Sequence, residues 1–80
     1  MPNSAHRLRD LPGAFGIQLR VLRLERGISQ EELAARSGLH RTYVSSVERG
    51  KRNLTLTNIY ALADALDVDV RKLFEVGAES

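Results

Sequence analysis

The chain contains no cysteine and no tryptophan, only two prolines, and few aromatic residues, which make up 5% of its 80 residues. Without cysteine there is no disulfide scaffold, no cysteine-type zinc finger, no iron–sulfur site and no thiol nucleophile. Two histidines are too few for an ordinary structural metal site, so neither a metal nor a cofactor is expected. No apolar run is long enough to cross a membrane, and the first residues lack a hydrophobic signal core. These absences predict a cytoplasmic protein with no membrane partner.

Hydrophobic residues make up 42% of the chain and charged residues 28%, which is typical of one small globular domain. The net charge is only +2, but the charges are unevenly placed. Basic residues dominate the stretch 36–52, whereas acidic residues dominate 61–80. This asymmetry is typical of a protein that meets an anionic partner with one face, although chance clustering on a solvated surface gives the same pattern. A core this small is often completed by self-association.

Hydrophobic spacing predicts five short helices and no strand, so the expected fold is an all-α bundle. The domain is predicted to span 14–76, between a flexible arm at 1–13 and a tail at 77–80. Its first helix should cover about 14–26, and its third about 40–49. The later helices are predicted to begin at Ser29 (with Glu32 as a capping box), His40 or Arg41, Thr55 or Thr57, and Asp69.

The most informative stretch is 30–49, which combines small, flexible and apolar residues at fixed distances. A small side chain at Ala34 allows a neighbouring helix to approach closely. Gly38, four residues later, can adopt the positive φ angle that a sharp turn requires. Val44 and Val47, three residues apart, can press the following helix onto the core. Together these positions predict a helix-turn-helix unit.

With these residues, the chain resembles the Cro/C1 (XRE) helix-turn-helix family of bacterial and phage repressors, over about residues 14–75. The string RTYVSSVERGKRNLT at 41–55 is especially similar to the controller proteins of restriction–modification systems. The resemblance implies a compact five-helix, lambda-repressor-like domain that binds double-stranded DNA as a homodimer and regulates transcription.

The exposed face of the third helix is rich in arginine and hydroxyl groups, which suits insertion into the major groove of DNA. Arg41 lies in the first turn, where its guanidinium can bind guanine, and Thr42 and Ser46 can contact neighbouring bases. The resemblance supports these three as base-reading residues. Ser45 is included because it lies on the same face, and Arg52 because of the likeness to controller proteins. The alternative is a solvated helix face without a ligand.

Phosphate contacts are expected on both sides of this helix. Gln30 begins the second helix, whose N-terminus favours an anion, and the matching glutamine of the family contacts a phosphate. Tyr43 can donate its hydroxyl to another phosphate, or it can be a half-buried core residue. Arg49, Lys51 and Asn53 complete the predicted phosphate-binding set, Asn53 by resemblance. The alternative for the loop is a solvated turn.

Arg23 and Glu48 both lie on apolar helix faces, so burial requires them to pair. The resemblance implies the same ion pair. The pair is expected to orient the third helix.

The C-terminal helices are expected to form the dimer interface, mostly by resemblance. The alternative is that their apolar residues only complete the core of the monomer. The residues predicted for the interface are Tyr60, Leu66, Val70, Leu73 and Phe74.

The predicted function is that of a homodimeric regulator that binds a palindromic operator, either as a restriction–modification controller protein or as a phage-type repressor. No small-molecule ligand is expected, and a contact with RNA polymerase would be needed for activation. No arrangement of nucleophile, base and acid, and no phosphate-binding glycine motif, predicts an enzyme. The alternative function is an antitoxin or another module that masks a protein partner. RNA binding is disfavoured by the low aromatic content.

Overall fold

The computed structural model describes residues 11–75, which form four α-helices and one 3-10 helix and contain no strand. The predicted all-α class is confirmed, but the predicted fifth α-helix is a 3-10 helix. Residues 1–10 of the predicted arm, and the predicted tail at 77–80, lie outside the described residues. The elements are α1 (Leu11–Glu25), α2 (Gln30–Ser37), α3 (Arg41–Glu48), α4 (Leu56–Leu66) and the 3-10 helix (Val70–Phe74).

Helix α1 begins at Leu11, three residues earlier than predicted. Pro12 and Gly13 were predicted to belong to the flexible arm, but both residues lie in the first helical turn. Proline is tolerated there, because the first N–H groups of a helix have no partner within the helix. The helix ends at Glu25, and Gly27 follows with a φ of 70°, as expected for a residue at a helix C-terminus.

The turn between α2 and α3 has the predicted geometry. The Ser29 hydroxyl accepts a hydrogen bond from the Glu32 N–H at 3.0 Å and so caps α2. The Glu32 carboxylate accepts from Arg36 at 2.9 Å, one helical turn along. Gly38 has a φ of 75°, and its N–H donates to the carbonyl of Ala34. Only three residues then separate the end of α2 from the start of α3, which confirms the helix-turn-helix prediction.

The hydrophobic core draws on every described element. Leu66 and Leu73 were predicted to lie in a dimer interface, but they are only 1% and 0% exposed. That prediction is wrong for these two side chains, because the chain's own core already covers them. The alternative, that the apolar residues of the C-terminal helices complete the core of the monomer, is therefore correct for Leu66 and Leu73. The buried apolar residues are Phe15, Leu19, Leu22, Leu33, Ala34, Val44, Val47, Leu62, Ala63, Leu66 and Leu73.

The last two elements begin at two of the predicted caps. The Thr55 hydroxyl accepts from the Asn58 N–H at 3.1 Å and opens α4. The Asp69 carboxylate accepts from the backbone N–H of Arg71 at 2.9 Å and from its guanidinium at 3.1 Å, and so opens the 3-10 helix. These hydrogen bonds from Arg71 hold the pKa of Asp69 below its ordinary value and raise the pKa of Arg71.

Candidate nucleic-acid interface

Helix α3 has one buried side and one solvent-facing side. Val44, Val47 and Glu48 are buried, and Val44 and Val47 belong to the core. At about 100° of rotation per residue, the other polar side chains of this segment fall within an arc of roughly 140° on the opposite side. Arg41, Thr42 and Arg49 are exposed, whereas Ser45 and Ser46 are half-buried. The predicted base-reading residues of α3 therefore share one face.

Arg49 is tied to the two serines of that face. Its Nη1 donates to the Ser45 hydroxyl at 2.5 Å, and its Nη2 makes a long contact of 3.5 Å with the Ser46 hydroxyl. The serine oxygens act as acceptors here, so each hydroxyl keeps its own hydrogen to donate elsewhere. The arrangement places a cation at the C-terminal end of α3, where the helix dipole favours positive charge.

The predicted ion pair between Arg23 and Glu48 is confirmed. The Arg23 Nε donates to Glu48 Oε2 at 2.6 Å, and its Nη2 donates to Oε1 at 3.1 Å. The two residues are 7% and 8% exposed, so the pair lies inside the protein. The Arg23 Nη1 also donates to the carbonyl of Ile28 at 2.9 Å. Helix α1 therefore holds both α3 and the turn that precedes α2.

Gln30 adds a third donor to the same carboxylate. Its Nε2 lies 3.0 Å from Glu48 Oε1, although the sequence predicted a phosphate contact for this side chain. An amide NH2 group has two N–H donors, so one remains for a phosphate. The side chain is held in place by α3, which the sequence did not indicate.

Tyr43 lies between the exposed and the buried sides of α3, and it is half-buried. Its hydroxyl accepts a hydrogen bond from Asn58 Nδ2 at 3.0 Å, and the Arg52 guanidinium lies over its ring at 5.4 Å from the centroid. The half-buried ring agrees with the expectation of a core residue, and the phosphate contact stays a prediction, for which the hydroxyl hydrogen is free. Asn58 was missed, because no local pattern connects residues fifteen positions apart.

The loop at 51–55 continues directly from α3. The Lys51 N–H donates to the carbonyl of Ser46 at 2.9 Å, which attaches the loop to the end of the helix. Lys51, Arg52 and Asn53 are all exposed, so the three predicted DNA-contacting residues of the loop are accessible. Gly50 has a φ of 73°, and a Cβ atom there would lie 2.8 Å from the Gly13 Cα. The loop therefore starts against the beginning of α1.

Gly16 is a further residue that sequence reasoning missed. It is buried where α1 crosses the end of α3. A Cβ atom at this position would lie 2.7 Å from the carbonyl oxygen of Glu48 and closer still to that of Val47. Only glycine permits this approach. A glycine in the middle of a predicted helix was the one available signal, and by itself it does not show which segment lies against it.

The remaining apolar surface of residues 11–75 forms two areas. On α4 and the 3-10 helix, Tyr60 and Phe74 are exposed, Val70 is half-buried, and the Phe74 ring packs on Phe15 with centroids 5.6 Å apart. Leu11 is exposed at the start of α1, and the other large apolar residues exposed on this helix follow one helical face. These residues are Ile17, Val21 and Leu24.

Within the part of the chain that the structure describes, no group of three or more acidic or histidine side chains is arranged to hold a metal ion. None of the helices at 11–75 combines the length and the apolar composition that a membrane span needs.

Two short helices joined by a three-residue turn, with a basic, hydroxyl-bearing face on the second, define a helix-turn-helix protein. A helix-turn-helix family model matches residues 19–73, which is more than half of the chain. Among curated proteins, the chain is 44% identical over 73 residues to the control protein C.SmaI of Serratia marcescens. The aligned region covers 91% of this chain and 87% of that protein. The chain therefore belongs to the Cro/C1-type helix-turn-helix family, and it is a DNA-binding transcription regulator.

Solved structures give the same result. The restriction–modification controller protein C.AhdI from Aeromonas hydrophila is 56% identical, with a TM-score of 0.78 over 79% of this chain and 96% of that one. The hypothetical transcription factor NHTF from Neisseria is 44% identical, with a TM-score of 0.82 over 89% of this chain and 82% of that one.

Proposed function

We propose that the chain is a sequence-specific regulator that binds a palindromic operator as a homodimer, with α3 in the major groove. The observation that carries this proposal is the charge of the α3 face. Glu48 is the only acidic residue of the helix, and it is buried against Arg23. The solvent-facing side is left with arginine, threonine and serine, which can approach the anionic duplex without repulsion.

In this proposal the N-terminal half of α3 reads bases. The Arg41 guanidinium can bind the O6 and N7 atoms of a guanine through two parallel hydrogen bonds. Thr42 can contact a thymine methyl group or offer its hydroxyl, and Ser46 lies one turn further on. Ser45 shares this face, although its hydroxyl is already bound by Arg49. Arg52 is proposed as a fifth base-reading residue, reaching from the loop.

The proposed phosphate contacts surround these base-reading residues. Gln30 and Tyr43 each keep a hydrogen to donate, and Arg49 is anchored at the end of α3. Lys51 and Asn53 are exposed in the loop. Contacts of this kind fix the position of a protein on the duplex but do not distinguish bases.

The division into base-reading and phosphate-binding residues predicts different outcomes for two variants. Arg41→Ala should lose discrimination at one base pair of each half-site, by roughly 1–3 kcal/mol. Lys51→Ala should weaken binding to all sequences similarly and reduce the salt dependence of log K by about one unit. The measurement is titration of operator and point-mutated operators at several salt concentrations. Equal losses for both variants on every sequence would contradict the division.

The proposed dimer interface is formed by the exposed apolar surface of α4 and the 3-10 helix. Tyr60 and Phe74 are 59% and 49% exposed, and Leu56, one turn before Tyr60, is 73% exposed. Val70 can contribute its accessible part, whereas Leu66 and Leu73 are excluded by their burial. Exposed apolar area of this kind is typical of a surface that is covered in an assembly.

Among the regulators, a restriction–modification controller protein is the role that the names of its relatives support, since C.AhdI is called a restriction–modification controller protein and C.SmaI and C.BamHI are called control proteins. We propose that the chain acts in the bacterial cytoplasm, without a catalytic step or a cofactor, and that its concentration sets operator occupancy. Activation would add a contact with RNA polymerase.

A second candidate function is an antitoxin-like module that masks a protein partner. Such a module needs apolar surface outside the dimer interface, and the exposed apolar face of α1, formed by Ile17, Val21 and Leu24, offers it.

Selection of bound duplexes from a random DNA pool, with sedimentation of the resulting complex, tests the proposal. We expect enrichment of a palindrome bound by two protomers, with half-sites about one helical turn apart. Weak, salt-sensitive binding without enrichment would refute sequence-specific regulation and favour the partner-masking module.

A further inference from the structure

Tyr43 is contacted at two different parts of its side chain by residues that lie outside α3. Asn58, on α4, donates from Nδ2 to the phenolic oxygen at 3.0 Å. Arg52, in the loop, lies over the aromatic ring at 5.4 Å from its centroid. The three residues form a continuous series of contacts from α4 through α3 to the loop.

The contact at the hydroxyl fixes the position of the ring. A tyrosine side chain rotates about two bonds, and rotation about the first, Cα–Cβ, would carry the hydroxyl oxygen away from Asn58, so the hydrogen bond restricts that rotation. Asn58 is itself fixed, because it lies in the first turn of α4 and its backbone N–H donates to the Thr55 cap at 3.1 Å. The ring of Tyr43 is therefore attached to a rigid element at the end opposite to α3.

The contact at the ring face restricts Arg52. The loop at 51–55 has no regular secondary structure, and a free arginine side chain samples many rotamers. An aromatic face attracts a guanidinium through the ring quadrupole, without using an N–H···O hydrogen bond. Arg52 can thus be held in one place and still offer its N–H groups to DNA.

We propose that Asn58 is a positioning residue for DNA binding, which acts through Tyr43 to present Arg52 to the duplex. This inference rests on the proposed function. Asn58 does not touch DNA in this proposal. It also sets the direction of the Tyr43 hydrogen bond, because an oxygen that accepts from the amide N–H keeps its own hydrogen for an anionic acceptor such as a phosphate.

The test is a double-mutant cycle with Asn58→Ala and Arg52→Ala, measured as operator affinity at several salt concentrations. Arg52→Ala should weaken binding to the operator and lose discrimination at the base pair that Arg52 contacts. Asn58→Ala should weaken binding roughly threefold to tenfold, although it removes no charge. In the Arg52→Ala background, Asn58→Ala should cost much less, because the residue that it positions is gone.

Two further variants separate positioning from loss of structure. Tyr43→Phe removes the hydroxyl, and with it both the Asn58 hydrogen bond and the proposed phosphate contact, so it should weaken binding at least as much as Asn58→Ala. It replaces that variant if Asn58→Ala does not fold. Thr57→Ala changes an exposed neighbour on the same turn of α4 and should bind as tightly as the unaltered protein. Circular dichroism at the binding temperature confirms that each variant is folded.

A readout without DNA distinguishes failure of this inference from failure of the proposed function. In the unaltered protein, the ring current of Tyr43 should shift the side-chain proton resonances of Arg52, and Asn58→Ala and Tyr43→Phe should reduce that shift. Unchanged Arg52 resonances in both variants, or an equal cost of Asn58→Ala with and without Arg52, would overturn the positioning role. Absence of operator binding by the unaltered protein would instead refute the proposed function.

Discussion

Replacement of Glu48 by alanine is expected to lower the free energy of unfolding by about 3–5 kcal/mol. The substitution leaves Arg23, which is 7% exposed, with an unpaired charge inside the protein. It also removes the acceptor of Gln30. Small domains are stable by only about 5–15 kcal/mol, so the loss is a large share of the total. Urea denaturation followed by circular dichroism measures it.

Two further variants serve as comparisons for Glu48→Ala. Arg36→Ala breaks the Arg36–Glu32 pair, whose side chains are 48% and 50% exposed, and should cost less than about 0.5 kcal/mol. The double variant Arg23→Met/Glu48→Leu removes both charges and should recover much of the lost stability. If Glu48→Ala costs no more than Arg36→Ala, the Arg23 side chain reaches water and the interior pair does not support α3.

Gly16→Ala is expected to destabilise the protein by about 3 kcal/mol, at the upper end of the range for overpacked interiors. The new methyl group would meet the backbone carbonyls of Val47 and Glu48, which cannot rotate away as a side chain would. Helix α1 must then move away from the end of α3. For a domain of this size the melting temperature should fall by roughly 12–24 °C, as measured by differential scanning calorimetry.

Gly13→Ala is the matched control for this experiment. Gly13 lies in the same helix, and a Cβ atom there would meet nothing within 4 Å. Alanine is the better helix former by about 1 kcal/mol, so this variant should be neutral or slightly more stable. Destabilisation by Gly13→Ala of the same size as by Gly16→Ala would contradict the account based on helix crossing.

The parts of the fold that sequence alone predicted are those encoded within a few residues. Ser29, Gly38, Thr55 and Asp69 cap or terminate helices as expected, because each interaction involves a neighbour at most four positions away. The ion pair of Arg23 with Glu48 is the exception, because it joins residues 25 positions apart and was still predicted. It could be predicted because a charge on an apolar helix face requires an opposite charge in the core.

What sequence could not predict depends on which distant segments meet. Gly16 looks like any helical glycine until Val47 and Glu48 are brought against it. Asn58 is unremarkable until α4 places it beside Tyr43. Both cases involve contacts between elements whose relative placement is not encoded in local periodicity.

The dimer prediction failed in part for a related reason. Apolar character indicates that a side chain will be buried, but not whether its own chain or a second one will cover it. Leu66 and Leu73 are covered by their own domain, whereas Phe74, next in sequence to Leu73, remains 49% exposed. Only the packed structure separates the two outcomes.

The backbone contact between Gly13 and Gly50 has a consequence for the DNA as well as for the protein. Together with the crossing at Gly16, it brings the backbone of α1 against the end of α3 and the start of the loop, where little space is left for adjustment. In the proposed complex, a DNA-contacting helix held in this way cannot adapt to an operator whose groove is too wide or too narrow. The adjustment must come from the duplex, so operators with easily deformed base steps between the contacted positions should be preferred even where no side chain touches them.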